Sequence, residues 1–111
     1  MNEITVETAT HANQYGWSDV TPFEILEKRT ARKIIVREMD AVLDPNFKTD
    51  VSVGGFVGHV NNNHEQSYVY HSNINNSEIA VRLDKKGIWK DKYGRKYNLN
   101  TTPRKFYDYN F

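Results

Sequence analysis

A chain of 111 residues, 38% of them hydrophobic, is the size of one domain and too short to fill two independent cores. It contains no cysteine, which excludes a disulfide framework and any thiolate metal site. No apolar run reaches the length of a membrane span, and residues 1–10 lack a basic-then-apolar leader, so a single cytoplasmic domain over residues 1–111 is expected.

The net charge of +1 hides an asymmetry. Residues 1–77 carry six basic and ten acidic side chains, whereas residues 78–111 carry nine and four. Half of the fourteen aromatic residues also fall between Trp89 and Phe111. A basic, aromatic final third suits an anionic, planar partner. The plainer reading makes Lys85, Lys86, Lys90 and Lys92 solvated hairpin ends.

Along the chain, the first feature is Tyr15-Gly16-Trp17-Ser18-Asp19. A tryptophan beside glycine in a polar segment is either a hydrophobic plug on a barrel end or a stacking surface for a base or partner. Thr21-Pro22-Phe23-Glu24 has the form of a helix start, with an N-cap, a first-turn proline and a glutamate. Against a helix, residues 27–33 interrupt the apolar stripe for almost two turns. The compact apolar flanks 23–26 and 34–36 suit strands on either side of a polar turn. Both readings of residues 20–40 stand at this level. Residues 44–66, with Gly54, Gly55, Gly58 and three consecutive asparagines, carry few regular signals and read as a long functional or disordered loop.

The second half is clearer. Residues 67–71 form a short strand with Tyr68 and Tyr70 on one side, and 73–76 turn it into 78–84, where Ile79, Val81 and Leu83 share a face. Lys85-Lys86-Gly87 turns the chain into Ile88-Trp89-Lys90, with glycine at the left-handed position. Asp91-Lys92-Tyr93-Gly94 is a second turn into a strand over 95–99. The tail 106–111 alternates, with Tyr107, Tyr109 and Phe111 on one face.

No catalytic kit is visible. His59, His64 and His71 lack the spacing of a zinc site, so no metal and no cofactor is expected. Ser18, Asp19 and His59 form no recognisable nucleophile arrangement, and no strand–nucleophile–helix elbow is present. Gly54-Gly55-Phe56-Val57-Gly58 lacks the lysine and helix of a phosphate loop, and reads as a flexible turn or bulge.

Taken in order, several segments resemble a group of small uncharacterised phage and bacterial proteins. They are Trp17-Ser18-Asp19, Pro22 to Glu27, the basic turn, Lys33 to Glu38, Gly55-Phe56-Val57-Gly58-His59, Gly87-Ile88-Trp89 and Tyr107-Asp108-Tyr109-Asn110-Phe111. The likeness spans most of residues 15–111, is weak over 60–75, and departs where Trp17 replaces the group's tyrosine. It implies phage or prophage origin, hence the cytoplasm of an infected or lysogenic bacterium, and a hairpin at 20–40. It implies no activity.

The expected fold is all-β with little or no helix: a small antiparallel barrel or strongly bent sheet of six to eight strands, opening on a hairpin like that of SH3-type barrels. The expected function is non-enzymatic: a homo-oligomeric protein that sequesters a small nucleotide immune signal and so antagonises host defence. Its ligand-binding residues would be Trp17, Ser18, Asp19, Phe56, His59, Arg82, Arg104, Tyr107 and Asp108. Alternatives are a nucleic-acid-binding module built on the basic final third, and a nucleotide-processing enzyme using His59 with Asp19 or Asp108.

Overall fold

The structure, a computed structural model, describes residues 5–45, 51–54, 57–60 and 66–106, with the backbone alone for 51–54 and 57–60. Strands β1 (His11–Tyr15), β2 (Val20–Thr21), β3 (Phe23–Thr30) and β4 (Lys33–Glu38) open the fold. An inserted ribbon follows, made of β5 (Asp40–Leu43), β6 (Val51–Gly54), β7 (Val57–Val60) and β8 (Tyr68–His71). Strands β9 (Glu78–Leu83), β10 (Trp89–Lys90) and β11 (Lys96–Asn100) complete it, and the described residues contain no helix.

Every pairing is antiparallel, and the main sheet runs β11-β10-β9-β4-β3-β1-β2, with β11 also paired to β1. The sheet therefore closes into a six-stranded barrel with β2 as an extra strand. Closure is sewn over five consecutive pairs, from His11 with Asn100 to Tyr15 with Lys96. Closing the sheet removes the free edges that an open sheet of this size would leave.

Residues 20–40 form the hairpin, not the helix. β3 and β4 pair from Phe23 with Glu38 to Thr30 with Lys33, around Ala31 and Arg32. Register shifts between Ile25 and Glu27 and between Lys28 and Thr30 explain the broken apolar stripe. The bulged outer end of β3 pairs only with β4 and leaves residues 26–30 exposed. Pro22 separates β2 from β3, both of which lie along β1, as expected for a residue that cannot donate to a ladder.

Strand alternation places Ala12, Phe23, Ile34, Val36, Val81 and Tyr97 inside, with Val6, Ile25, Ile79, Trp89 and Leu99 packed around them. The Phe23 and Tyr97 rings meet edge to face, 5.3 Å between centroids and 83° between planes.

The segment expected to be a structureless loop instead carries strands. β6 and β7 pair from Val51 with Val60 to Gly54 with Val57, and β5 and β8 pair at the base of the same excursion. Its root is tied to the barrel through Glu24. Arg37 Nη2 donates to Glu24 Oε1 at 2.7 Å, and Ser72 Oγ donates to Oε2 at 2.6 Å. Asn76 Nδ2 adds a bond to the Glu38 carbonyl at 2.9 Å.

After β11 the chain folds back over β1. Buried Asn13 accepts from the Arg104 amide and donates to the Thr102 carbonyl, and Phe106 exchanges backbone bonds with Val20. The expected tail strand beyond Phe106 lies outside the described residues.

The core assignment has a direct check by urea unfolding. Ile34→Ala, at a position with no solvent exposure, should cost about 2–5 kcal/mol. Ile74→Ala, 81% exposed, should stay within about 0.5 kcal/mol of the parent.

Candidate nucleic-acid interface

Two hairpin turns, Asp84 to Ile88 and Asp91 to Arg95, are built alike. In each, the aspartate carbonyl accepts from the glycine amide at 3.1 Å. The aspartate Oδ1 accepts from the amides two and four residues on, at 2.8 and 2.9 Å in the first turn and 2.9 and 3.1 Å in the second. Gly87 and Gly94 have φ of 81° and 83°, a conformation that glycine adopts without a Cβ penalty.

The second turn is anchored more deeply. The Asp91 carboxylate is fully buried. Its Oδ2 accepts from Arg95 Nε at 2.8 Å and from the Tyr97 hydroxyl at 2.9 Å, and that hydroxyl accepts from Gln14 Nε2 at 2.9 Å. Arg95 is thereby held against the Tyr93 ring, 4.9 Å from its centroid, with Lys92 Nζ at 5.0 Å. Tyr93 is 70% exposed, so the turn presents a fixed aromatic–guanidinium platform to solvent.

Beside this platform runs a row of cations. The register sets Lys33 opposite Arg82, Arg82 opposite Lys90, and Lys90 opposite Lys96, across β4, β9, β10 and β11. Directly paired residues share a face, and neighbours on these strands (Ile34, Val81, Tyr97) point inward, so the four cations line the outer wall at strand intervals of about 4.8 Å. Across the closing seam the row ends at Tyr15, partner of Lys96. Among the described residues, the one ion pair in the row joins Lys90 Nζ to Asp84 Oδ2 at 3.2 Å.

Trp17 sits past Tyr15 in the loop joining β1 to β2, which is closed by the Gly16 amide donating to the Asp19 carbonyl at 2.9 Å. It is 90% exposed, which rules out the plug. Because Tyr15 pairs with Lys96, this loop and the 91–95 turn leave the same end of the β1–β11 pair. Arg104 is anchored by its amide to Asn13, two residues from Tyr15 on the same outward face of β1.

A groove of about 740 Å³ opens between β9 and the 91–95 turn, lined in part by Ile79, Ala80, Arg82, Lys90, Lys92 and Tyr93. It exists because β10 is only two residues long: β9 pairs with β10 at Leu83 and Arg82, and beyond them the wall splits.

The structure thus brings a few of the predicted site residues together and disperses the others around the barrel. Trp17, Ser18 and Asp19 share a loop, Arg104 lies over β1, and Arg82 stands in the row three strands away. Arg82 lines the groove, whereas Trp17 and Arg104 do not. Phe56, Tyr107, Asp108 and the His59 side chain lie outside the described residues. Sequence reasoning missed Tyr93, Tyr15 and Lys33 as site residues. The repeated Asp-Lys-x-Gly spacing is the signal that marks the 91–94 turn as rigid enough to present an aromatic.

Comparison with protein-family models, with curated proteins and with solved structures returns no match.

The anchoring network sets a pH window. Burial alone would raise the Asp91 carboxyl, but bonds from Tyr97, Arg95 and the Tyr93 amide outweigh it and hold it below its ordinary 3.8. Glu24 is likewise held below 4.5, burial being outweighed by Ser72 and Arg37. His11 is lowered from 6.5 by burial, which prevails over the opposing pull of Glu24 and the Thr101 carbonyl. All three folded values are depressed, so each contribution is complete above the ordinary value and is lost as pH falls through the folded one. Tyr97 has the opposite sign: burial, with Asp91 beside it, pushes it up to about 12, so its share is lost as pH rises from 10 through about 12. Thermal melts should show a plateau from roughly pH 6.5 to 10, with stability declining on both sides. At neutral pH, Asp91→Ala should cost about 1–3 kcal/mol, because it strands the buried Tyr97 hydroxyl and the turn's amides, while the half-exposed Arg95 guanidinium stays solvated.

Proposed function

We propose that the protein is a binding module for single-stranded nucleic acid, using the outer wall around the Lys33-Arg82-Lys90-Lys96 row. The row carries this reading. Like charges directly opposite one another across a sheet are destabilising, and among the described residues these four in succession have one acidic partner, Asp84. A polyanion laid across the strands offsets that repulsion and gains by releasing its own counterions. Exposed Trp17 at one end and the Tyr93–Arg95 platform beside the groove supply faces for unstacked bases, a sequence-tolerant mode of recognition. The arrangement positions charge and aromatic surface along the wall, which supports a binding reading.

A second reading has its own support. The groove lies within the size range of small-molecule pockets and holds Arg82, Lys92 and Tyr93 together. On this reading the protein sequesters a small nucleotide, as a phage antagonist of nucleotide-signalled immunity would, with the site completed across a homo-oligomer.

Salt dependence separates the two. Engagement of the four-cation row by a single strand gives a slope of log K against log salt of about −2 to −3, and Arg82→Ala reduces its magnitude by about 0.7. A nucleotide with two or three charges shows a shallower dependence and binds when no oligonucleotide does. Trp17→Ala should weaken oligonucleotide binding by about 1–3 kcal/mol while leaving the melting temperature nearly unchanged, as expected of an exposed side chain. Oligonucleotide binding that is absent, or indifferent to salt, overturns the nucleic-acid reading.

A further inference from the structure

We propose that the split in the barrel wall beside β9 is a subsite for one unstacked nucleobase, whose edge is read by the main chain of Ala80. This inference rests on the nucleic-acid reading and assigns its base-binding position.

In an antiparallel strand the N–H and C=O of one residue point to the same side, and successive residues alternate. On β9 the Leu83 amide donates to the Arg32 carbonyl at 2.9 Å, on the β4 side, while the next amide, of Asp84, donates to the Ile88 carbonyl at 2.9 Å, on the β10 side. The alternation therefore turns Arg82, Ala80 and Glu78 toward β10. Arg82 meets Lys90 there, but the ladder stops at that pair. The N–H and C=O of Ala80 consequently face the groove, with no strand opposite among the described residues. Sheet edges of this kind are ordinarily covered or blunted, because unpaired backbone groups invite a partner.

The surroundings select a base as that partner. Ala80 is exposed and small, so its backbone can be approached closely. Ile79 and Leu83 supply apolar lining, and Tyr93, with Arg95 against its ring, stands at the rim as a planar wall. Arg82 and Lys92 are placed for the flanking phosphates. A Watson–Crick edge presents a donor beside an acceptor. Thymine offers its N3–H to the Ala80 carbonyl and a ring carbonyl to the Ala80 amide. Single strands are commonly read through such edges once their bases are splayed out.

The test uses the full chain, fluorescence anisotropy, a labelled oligothymidylate, and an abasic oligonucleotide of the same length. Ala80→Pro removes the groove-facing N–H and breaks no bond to β4. Ala80→Ser keeps the N–H. The expected result is tighter binding of oligothymidylate than of the abasic strand by the parent and by Ala80→Ser. Ala80→Pro should bind oligothymidylate roughly two- to tenfold more weakly, the range of one hydrogen bond, with abasic binding unchanged. In case the proline variant does not fold, amide NMR of the parent gives an independent readout: the Ala80 amide should shift strongly at saturating oligothymidylate. An unmoved Ala80 amide overturns the proposal, as does a folded Ala80→Pro variant with unchanged affinity; either leaves the nucleic-acid reading standing. Equal binding of the thymidylate and abasic strands also overturns it. If neither strand binds, the underlying reading falls with it.

Discussion

The buried carboxylate of Asp91 is the point on which the site's geometry turns. It organises the turn before β11 and bonds Tyr97 at the centre of the core; through the Tyr97 hydroxyl it reaches Gln14 on the opposite side of the closing seam. A buried carboxylate with that many donors is stable only while all of them stay in place. The network therefore couples closure of the barrel, the path of the 91–95 turn and the pose of Tyr93. The Lys90–Lys96 juxtaposition depends on the same turn, because its length determines which residues of β10 and β11 face each other.

The inserted ribbon explains an otherwise odd feature of the barrel. β4 and β9 are neighbours in the wall, yet β5 to β8 lie between them in the chain. Glu24, Arg37 and Ser72 tie the root of this excursion to the wall, so that β9 enters in register with β4. Correct entry of β9 puts Arg82 beside Lys33 and points Ala80 into the groove. The ribbon's anchoring thus serves the candidate interface.

Much of this architecture was legible in the sequence, and the limits of legibility have physical causes. Ile79, Val81 and Leu83 alternate without interruption and are found as β9. The glycines at 87 and 94 take the left-handed conformation that the turns require. The hairpin at 20–40 was obscured by two bulges, which shift the apolar pattern out of period, and by a strand end that extends past its second neighbour into solvent. β1 left no signal, because its inward positions are Ala12 and Gln14, one small and one polar. The basic final third was visible, but the alignment of its cations with Lys33 was not. Lys33, Arg82, Lys90 and Lys96 are brought together only by strand register, a property of long-range pairing that local pattern does not encode. Trp17 shows a different limit: composition marks it as unusual, but its exposure is decided by a loop geometry that neighbouring residues do not announce.

The closing seam has a consequence for how the molecule comes into being. Its pairs join His11 to Asn100 and Tyr15 to Lys96, so every other strand of the wall lies in sequence between the two that complete it. Loop-closure entropy makes such distant pairings slow to form, and proteins dominated by them fold in milliseconds to seconds. During synthesis the hairpin of β3 and β4 can assemble early, while β1 must wait with one edge bare until β11 has left the ribosome. The interval is one of exposure: an unpaired strand edge and a half-covered core await β11. The small, polar composition of β1, His-Ala-Asn-Gln-Tyr, is well suited to that wait, since it offers little apolar surface to a chance neighbour.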